Sequence, residues 1–332
     1  MKKILIIQTA FIGDVILTTP LIRATKQLYP NAEIDALVVP AAAKLLQNNP
    51  HLRSVLTDSK RDNTLLNMGK MIKRIKAEAY DMAISPHSSG RTHLLMYLAR
   101  IPIRVGFDRG TMPFLLTAKT AHPRGIHKAK KNLALLKLLD PRDFDFQTEL
   151  YPSEEDQAYA ESLLSPLSSK QIIALAPGSV WATKCWPTEY YADLAMKLDK
   201  AGYGVVLIGS QDDLPKCEIV KESCPKALIL AGKTDLLQSA AVISRCKLMI
   251  CNDSGALHLA NAMQTRVVAF FGPTTKSFGY FPFRPGDYVF EIPLDCRPCS
   301  SHGPMKCPLK HHNCMRNILP STVFSYIQEQ LV

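Results

Sequence analysis

Ile4-Leu5-Ile6-Ile7, stopping at Gln8 and leading into Thr9-Ala10-Phe11-Ile12-Gly13-Asp14-Val15, is the stretch that decides the fold. With Met1-Lys2-Lys3 in front it superficially resembles an export signal, but its apolar run ends at Gln8 and Asp14 interrupts the next apolar residues, so it reads as a buried strand running into a helix. The same pattern returns at Ile34 to Val39, Met82 to Ser85, Ile172 to Ala176, Val205 to Ile208, Leu248 to Cys251 and Val267 to Phe271. Between these runs, Leu21 to Leu28, Tyr190 to Leu198 and Leu236 to Ile243 carry apolar residues at helical spacing. This alternation predicts an α/β protein with doubly wound parallel sheets.

A chain of 332 residues is long enough for two such domains. Asp140 to Lys170, rich in Pro, Ser and acid, contains the expected boundary, which divides residues 1–155 from 156–320. The net charge is +11, and all of the excess lies in residues 1–150, which hold 23 Lys/Arg against 12 Asp/Glu. That half is therefore suited to an anionic partner: nucleic acid, an anionic membrane surface or a phosphorylated glycolipid. No nucleic-acid recognition motif accompanies the charge. No apolar run reaches the roughly 18 residues needed to span a bilayer, and nine cysteines, an odd number, fit a reducing compartment. The expectation is a cytosolic protein whose membrane contact is peripheral.

Three strand-to-helix loops could carry chemistry. In the first, Gly13 permits close backbone approach and Asp14 stands at a helix N-terminus, as a cap or as a carboxylate facing a ligand. The second, Ala176-Pro177-Gly178-Ser179 through Thr183-Lys184-Cys185-Trp186-Pro187, combines backbone amides, the Ser179 and Thr183 hydroxyls and Lys184, which suits phosphate oxygens. The third, Asn252-Asp253-Ser254-Gly255 with His258 one turn on, forms another anion-ready helix start. Gln211 and Asp212 sit at a further strand end and are candidate nucleotide contacts. Neither Gly-x-Gly-x-x-Gly nor Gly-Lys-Ser/Thr occurs in the first loop, so dinucleotide dehydrogenases and P-loop enzymes lose their fingerprints. In the tail, Cys296, Cys299, Cys307 and Cys314 are candidates for a structural zinc, with reduced packed thiols as the default reading.

In order and spacing, these motifs, with Thr19-Pro20 and Phe271-Gly272-Pro273-Thr274, resemble the ADP-heptose:lipopolysaccharide heptosyltransferases of glycosyltransferase family 9. The cysteine tail resembles the heptosyltransferase II branch, which often has Arg where this chain has Cys185. The resemblance implies a GT-B fold, two Rossmann-like domains facing a central cleft. Acceptor would bind the first domain, sugar nucleotide the second, and residues 321–332 would form a helix crossing back to the first. It also implies an inverting, metal-independent transfer of L-glycero-D-manno-heptose from ADP-heptose to the lipopolysaccharide inner core. Asp14 would act as base. Ser179, Thr183, Lys184, Ser254 and Gly255 would stabilise the leaving ADP, while Asp253 and His258 hold the donor. Lys70, Lys73, Arg74, Lys76, Arg104, Arg109, Lys128, Lys130 and Lys131 become candidate contacts to the acceptor or an anionic membrane. Leu65 to Lys76 reads as an amphipathic helix, apolar at Leu65, Met68, Ile72 and Ile75 and packed on its sheet. A family 9 enzyme for another sugar nucleotide, or an idle glycolipid- or nucleotide-binding module, are the competing readings.

Overall fold

The computed structural model describes residues 1–59 and 65–331, apart from the side chain of Leu65. The expected apolar contact of Leu65, and Val332 at the end of the last segment, lie outside the described residues.

The chain divides into two compact units, Met1–Tyr151 and Pro152–Val332. The division falls four residues before the expected one because Ser153 starts a helix of the second unit. Its hydroxyl accepts from the Asp156 amide at 3.1 Å while the Asp156 carboxylate accepts from the Ser153 amide at 2.9 Å, a reciprocal capping box.

The first unit contains β1 (Lys3–Gln8), α1 (Ile12–Ile16), α2 (Thr19–Leu28), β2 (Glu33–Val38), β3 (Ser54–Thr57), α3 (Leu65–Glu78), β4 (Met82–Ser85), α4 (Gly90–Leu98), β5 (Ile103–Phe107), β6 (Ala118–Thr120) and α5 (Lys128–Leu133). Its sheet runs β3-β2-β1-β4-β5-β6 with every neighbouring pair parallel. The second contains α6 (Glu154–Leu164), β7 (Ile172–Ala176), α7 (Thr188–Lys200), β8 (Gly204–Leu207), α8 (Leu214–Ser223), β9 (Leu228–Ile229), α9 (Leu236–Ser244), β10 (Leu248–Asn252), α10 (Gly255–Ala262), β11 (Arg266–Phe271), β12 (Tyr288–Glu291), α11 (Asn313–Arg316) and α12 (Pro320–Leu331). Its sheet, β12-β11-β10-β7-β8-β9, is also all parallel. Both therefore follow the Rossmann order 3-2-1-4-5-6.

This topology positions the sites. The strand order reverses between β1 and β4 in the first unit and between β7 and β10 in the second. Loops leaving the carboxyl ends of such a pair diverge to opposite faces and leave a crevice for ligand. The loops carrying Asp14, Lys184 and Asp253 leave three of those four strands.

All seven apolar runs form strands, whereas β3, β5, β6, β9 and β12 have no such signature. They flank or edge the sheets, most are only two to five residues long, and several carry polar or half-buried residues instead of an unbroken apolar run. α3 packs as an ordinary sheet-covering helix, with Ile75 buried and Met71 and Ile72 against the core, leaving Lys70, Lys73, Arg74 and Lys76 exposed. The last helix, expected to cross back to the first domain, packs against α7 and buries Val323 and Ile327 in the second unit's core.

That core centres on Trp186, fully buried and stacked on Phe270 at 4.3 Å between ring centroids, with its indole nitrogen donating to the Ile318 carbonyl at 2.9 Å. In the first unit the buried carboxylate of Asp35, on β2, accepts from Arg53 Nε at 3.0 Å, Ser54 at 2.8 Å and Tyr80 at 2.5 Å. Burial alone would raise its pKa, but these bonds and the Arg53 charge outweigh it, and the carboxyl sits below its usual range. Its stabilising contribution is present at neutral pH and is lost as pH falls below the ordinary carboxylate range. Asp35→Ala, which leaves Arg53 and Tyr80 without their shared partner, is expected to cost about 3 kcal/mol or more in urea unfolding. A loss under about 1 kcal/mol would contradict this account.

Candidate active site

In the second unit the site begins with Asn252, the last residue of β10, which is fully buried. Its Nδ2 donates to the carbonyls of Pro177 and Gly178, each at 3.1 Å, and its Oδ1 accepts from the Trp186 amide at 2.9 Å and the Tyr191 hydroxyl at 3.1 Å. One side chain thus ties both ends of the loop from Pro177 to Trp186 to the neighbouring strand end. Within that loop Lys184 reaches Asp253 at 2.7 Å, and the same carboxylate oxygen accepts from Thr274 at 2.7 Å. Asp253 is buried, and the Lys184 side chain is only 13% exposed. The ammonium is therefore held in place before any ligand arrives.

Ser254 precedes α10 in extended conformation and makes no side-chain cap, while Ser254 and Gly255 are only partly buried. The first-turn amides of this helix accordingly remain available to an anion. His258, on the same helix, is buried with its ring edge-on to Tyr280 at 6.2 Å. Burial, opposed by Asp253 and reinforced by Lys184, pushes its pKa down to about 4, so the ring is neutral.

One of the expected donor contacts has another partner in the structure. The Thr183 hydroxyl is buried and donates to the Pro304 carbonyl, while His312 Nε2 donates to the Thr183 carbonyl at 2.8 Å. Thr183 thus anchors the tail under the loop. Gln211 and Asp212 lie exposed on the single 3-10 turn Gln211–Asp213. Ser179 is partly buried.

Among the described residues no three His, Cys, Asp or Glu side chains are arranged to hold a metal, although the four tail cysteines lie within electrostatic reach of one another. All four thiols are free, and burial is the main reason that Cys299 titrates above its usual range and Cys314 is pushed up to about 11. The tail is instead organised by Arg297, whose guanidinium donates to the carbonyls of Gly272, Phe271, Ile292 and Thr274 and pairs with Glu291 at 3.2 Å. Five donors in a fixed fork suit this convergence of carbonyls.

In the first unit, α1 comes after β1 and Phe11, and Asp14 lies in its first turn. A buried network fixes that turn: Thr18 donates to the Asp14 carbonyl at 2.7 Å, Gln8 Nε2 donates to Thr18 Oγ1 at 3.2 Å, and Asn132 Nδ2 donates to the Leu17 carbonyl at 2.9 Å. Asn132 belongs to α5, which begins with Lys128. On the other side of the strand reversal, Thr9 Oγ1 lies 3.4 Å from His87 Nδ1 in the loop after β4. Cations gather around this region. Burial lowers the Lys128 pKa while Asp14 opposes that shift, and His122 is pushed down to about 4 by burial and then by Lys128, Arg109 and Lys131. Lys131 is buried, Arg109 is exposed, and Lys130 lies over the Phe146 ring at 4.4 Å. The Arg104 guanidinium donates to the carbonyls of Leu115 at 2.7 Å and Ile101 at 2.6 Å and so braces the segment between β5 and β6 against the start of β5.

The sequence alone assigns no role to Asn252 or Thr274, although both lie inside the recognisable motifs. A polar residue ending an apolar strand is the available signal for Asn252. Thr18 and Asn132 carry no signal, since their pairing spans 114 residues.

The glycosyltransferase family 9 (heptosyltransferase) profile matches residues 68–309. The lipooligosaccharide heptosyltransferase 2 of Haemophilus influenzae is 29% identical over 297 residues, covering 83% of this chain and 85% of that protein. The solved structure of E. coli ADP-heptose lps heptosyltransferase II superposes with a TM-score of 0.83 at 26% identity, covering 100% of this chain and 98% of that one. A family 9 glycosyl transferase structure from Veillonella parvula has the same fold, with a TM-score of 0.88 at 24% identity, covering 99% and 97%. With its two Rossmann-type sheets of GT-B type and this match over most of its length, the chain belongs to glycosyltransferase family 9 and is an enzyme of the heptosyltransferase family.

Proposed function

We propose that this enzyme transfers L-glycero-D-manno-heptose from ADP-heptose to an anionic sugar of the lipopolysaccharide inner core, with inversion and without a required metal ion. The observation that carries the reading is the preset Lys184–Asp253–Thr274 cluster beside the uncapped start of α10, at the strand reversal of the second unit. It is a cationic, amide-lined place for a diphosphate. The activities for which the Haemophilus and E. coli relatives are named supply the sugar nucleotide and the acceptor class.

Heptosyl transfer needs a hydroxyl made nucleophilic and a diphosphate made a good leaving group. Asp14 takes the proton from the acceptor hydroxyl as it attacks the anomeric carbon, and Lys128 in its electrostatic neighbourhood favours the ionised carboxylate. Bond formation on the face opposite the departing ADP inverts the centre. Lys184 and the amides at Ser254 and Gly255 meet the negative charge that grows on the diphosphate, which is the service a divalent ion would otherwise supply. Asp253 orients Lys184, and neutral His258 backs the helix turn beneath the donor. Arg109, Lys128, Lys130 and Lys131 suit the phosphates and carboxylates of the acceptor. The exposed Lys70, Lys73, Arg74 and Lys76 suit a peripheral anionic membrane surface, and no described helix is long and apolar enough to cross one.

Asp14→Ala should lower kcat with ADP-heptose by about 100-fold or more while ADP still binds; a loss below tenfold would remove Asp14 as the base. Lys184→Met should cost a comparable ~100-fold in kcat. If wild-type enzyme turns over a UDP- or GDP-sugar in preference to ADP-heptose, the donor assignment fails. His258 should stay neutral throughout the assay range, so its imidazole NMR resonances should not move between pH 7.5 and 5.5. Because its folded pKa lies below the unfolded value near 6.5, it withdraws stability as pH falls from 6.5 toward 4. A titration midpoint near 6.5 in the folded protein would contradict the burial argument. Binding to anionic liposomes should weaken with added salt, and salt-independent binding would remove the basic face of α3 from the account.

A further inference from the structure

Lys216 lies on the first turns of α8, at the carboxyl end of β8, next to the loop that holds Lys184. A lysine near a helix N-terminus is opposed by the helix dipole, so its place there calls for a reason. Its Nζ lies 3.3 Å from Cys185 Sγ, and among the described residues no carboxylate is within ion-pair distance of it. The nearby acid, Asp213, makes no ion pair with it, and one oxygen of its carboxylate, Oδ2, accepts from the Ser210 amide at 2.9 Å and the Ser210 hydroxyl at 2.8 Å.

The backbone holds this arrangement in place. Gly178 has Asp213 packed where a Cβ would stand, and a Cβ on Gly209 would come within 2.8 Å of the Asp213 Cβ. The two glycines let the turn before α8 press against the Pro177–Ser179 segment, which aims Lys216 across to Cys185. Burial raises the Cys185 pKa, so the partner is a neutral thiol, a weak acceptor that leaves most of the ammonium's donor capacity unused. Lys184, by contrast, already spends its charge on Asp253.

We propose that Lys216 is a further donor-binding residue of this enzyme, hydrogen-bonding the diphosphate of the sugar nucleotide from the α8 side while Lys184 holds it from the β10 side. The inference rests on the reading that these loops bind a nucleoside diphosphate. It adds a cation that no motif contained and divides diphosphate recognition between two lysines, one in a direct ion pair with Asp253 and one hydrogen-bonded to a thiol.

The test is binding of ADP, UDP, GDP and adenosine to the full-length protein and to Lys216→Met and Lys216→Arg, by calorimetry for the nucleotides and ligand-observed NMR for adenosine. A charge-assisted hydrogen bond of ordinary strength predicts that Lys216→Met weakens ADP about tenfold or more, leaves adenosine unchanged and keeps the melting temperature of the wild type, while Lys216→Arg recovers most of the affinity. ADP affinity within twofold of wild type in Lys216→Met would overturn the inference, as would equal weakening of ADP and adenosine, which would mark a structural role. If wild type binds none of the three diphosphates, this inference and the proposed donor site fall together. If wild type prefers UDP or GDP and Lys216→Met weakens that nucleotide, the ADP-heptose assignment falls and the role of Lys216 stands.

Discussion

The second unit depends on one buried carboxamide. Asn252 sits where β10 ends, shielded from water, with its amide and carbonyl both spent on groups from the preceding loop and helix. An unpaired amide in that position would cost about 1–3 kcal/mol per orphaned group, so the loop from Pro177 to Trp186 has one conformation that satisfies it. Trp186, pinned through its backbone by the same side chain, carries the constraint into the core by stacking on Phe270. Loop geometry and core packing are consequently one structure, and Lys184 inherits its position from both.

The same economy appears in the charges. Lys184 is nearly buried, which would be unfavourable without Asp253, and Asp253 is buried, which would be unfavourable without Lys184 and Thr274. A pair of this kind is a weak source of net stability but a firm source of orientation. A firmly oriented cation needs no reorganisation when charge develops on a leaving group. The first unit has a different character near Asp14, where Lys128 stands in its electrostatic neighbourhood and Arg109 and Lys131 gather around Lys128.

The tail is fixed by a guanidinium rather than by any bond between its thiols. Cys296, Cys299, Cys307 and Cys314 have a spacing that permits a chelate, yet Arg297 between the first two draws the carbonyls of Gly272, Phe271 and Thr274 toward itself. The segment is then fixed by hydrogen bonds to the backbone, and His312 and Thr183 close it onto the loop from Pro177 to Trp186.

Much of the architecture was legible because buried parallel strands must be apolar on both faces. Ile4–Ile7, Ile172–Ala176, Leu248–Cys251 and Val267–Phe271 announce themselves, and the loops behind them fall at strand ends by necessity. The edge and flanking strands β3, β5, β6, β9 and β12 were not legible, since short or half-covered strands need no continuous apolar run. Thus the sequence by itself determined the fold class, the family and the loops that carry Asp14, Lys184 and Asp253. Only the tertiary structure decided that Thr183 serves the tail, that Arg104 braces the connection after β5, that Asn252 governs a loop and that Lys216 stands beside Cys185. Those outcomes depend on which groups become neighbours after the chain folds, and partners separated by up to 129 residues leave no local pattern to read.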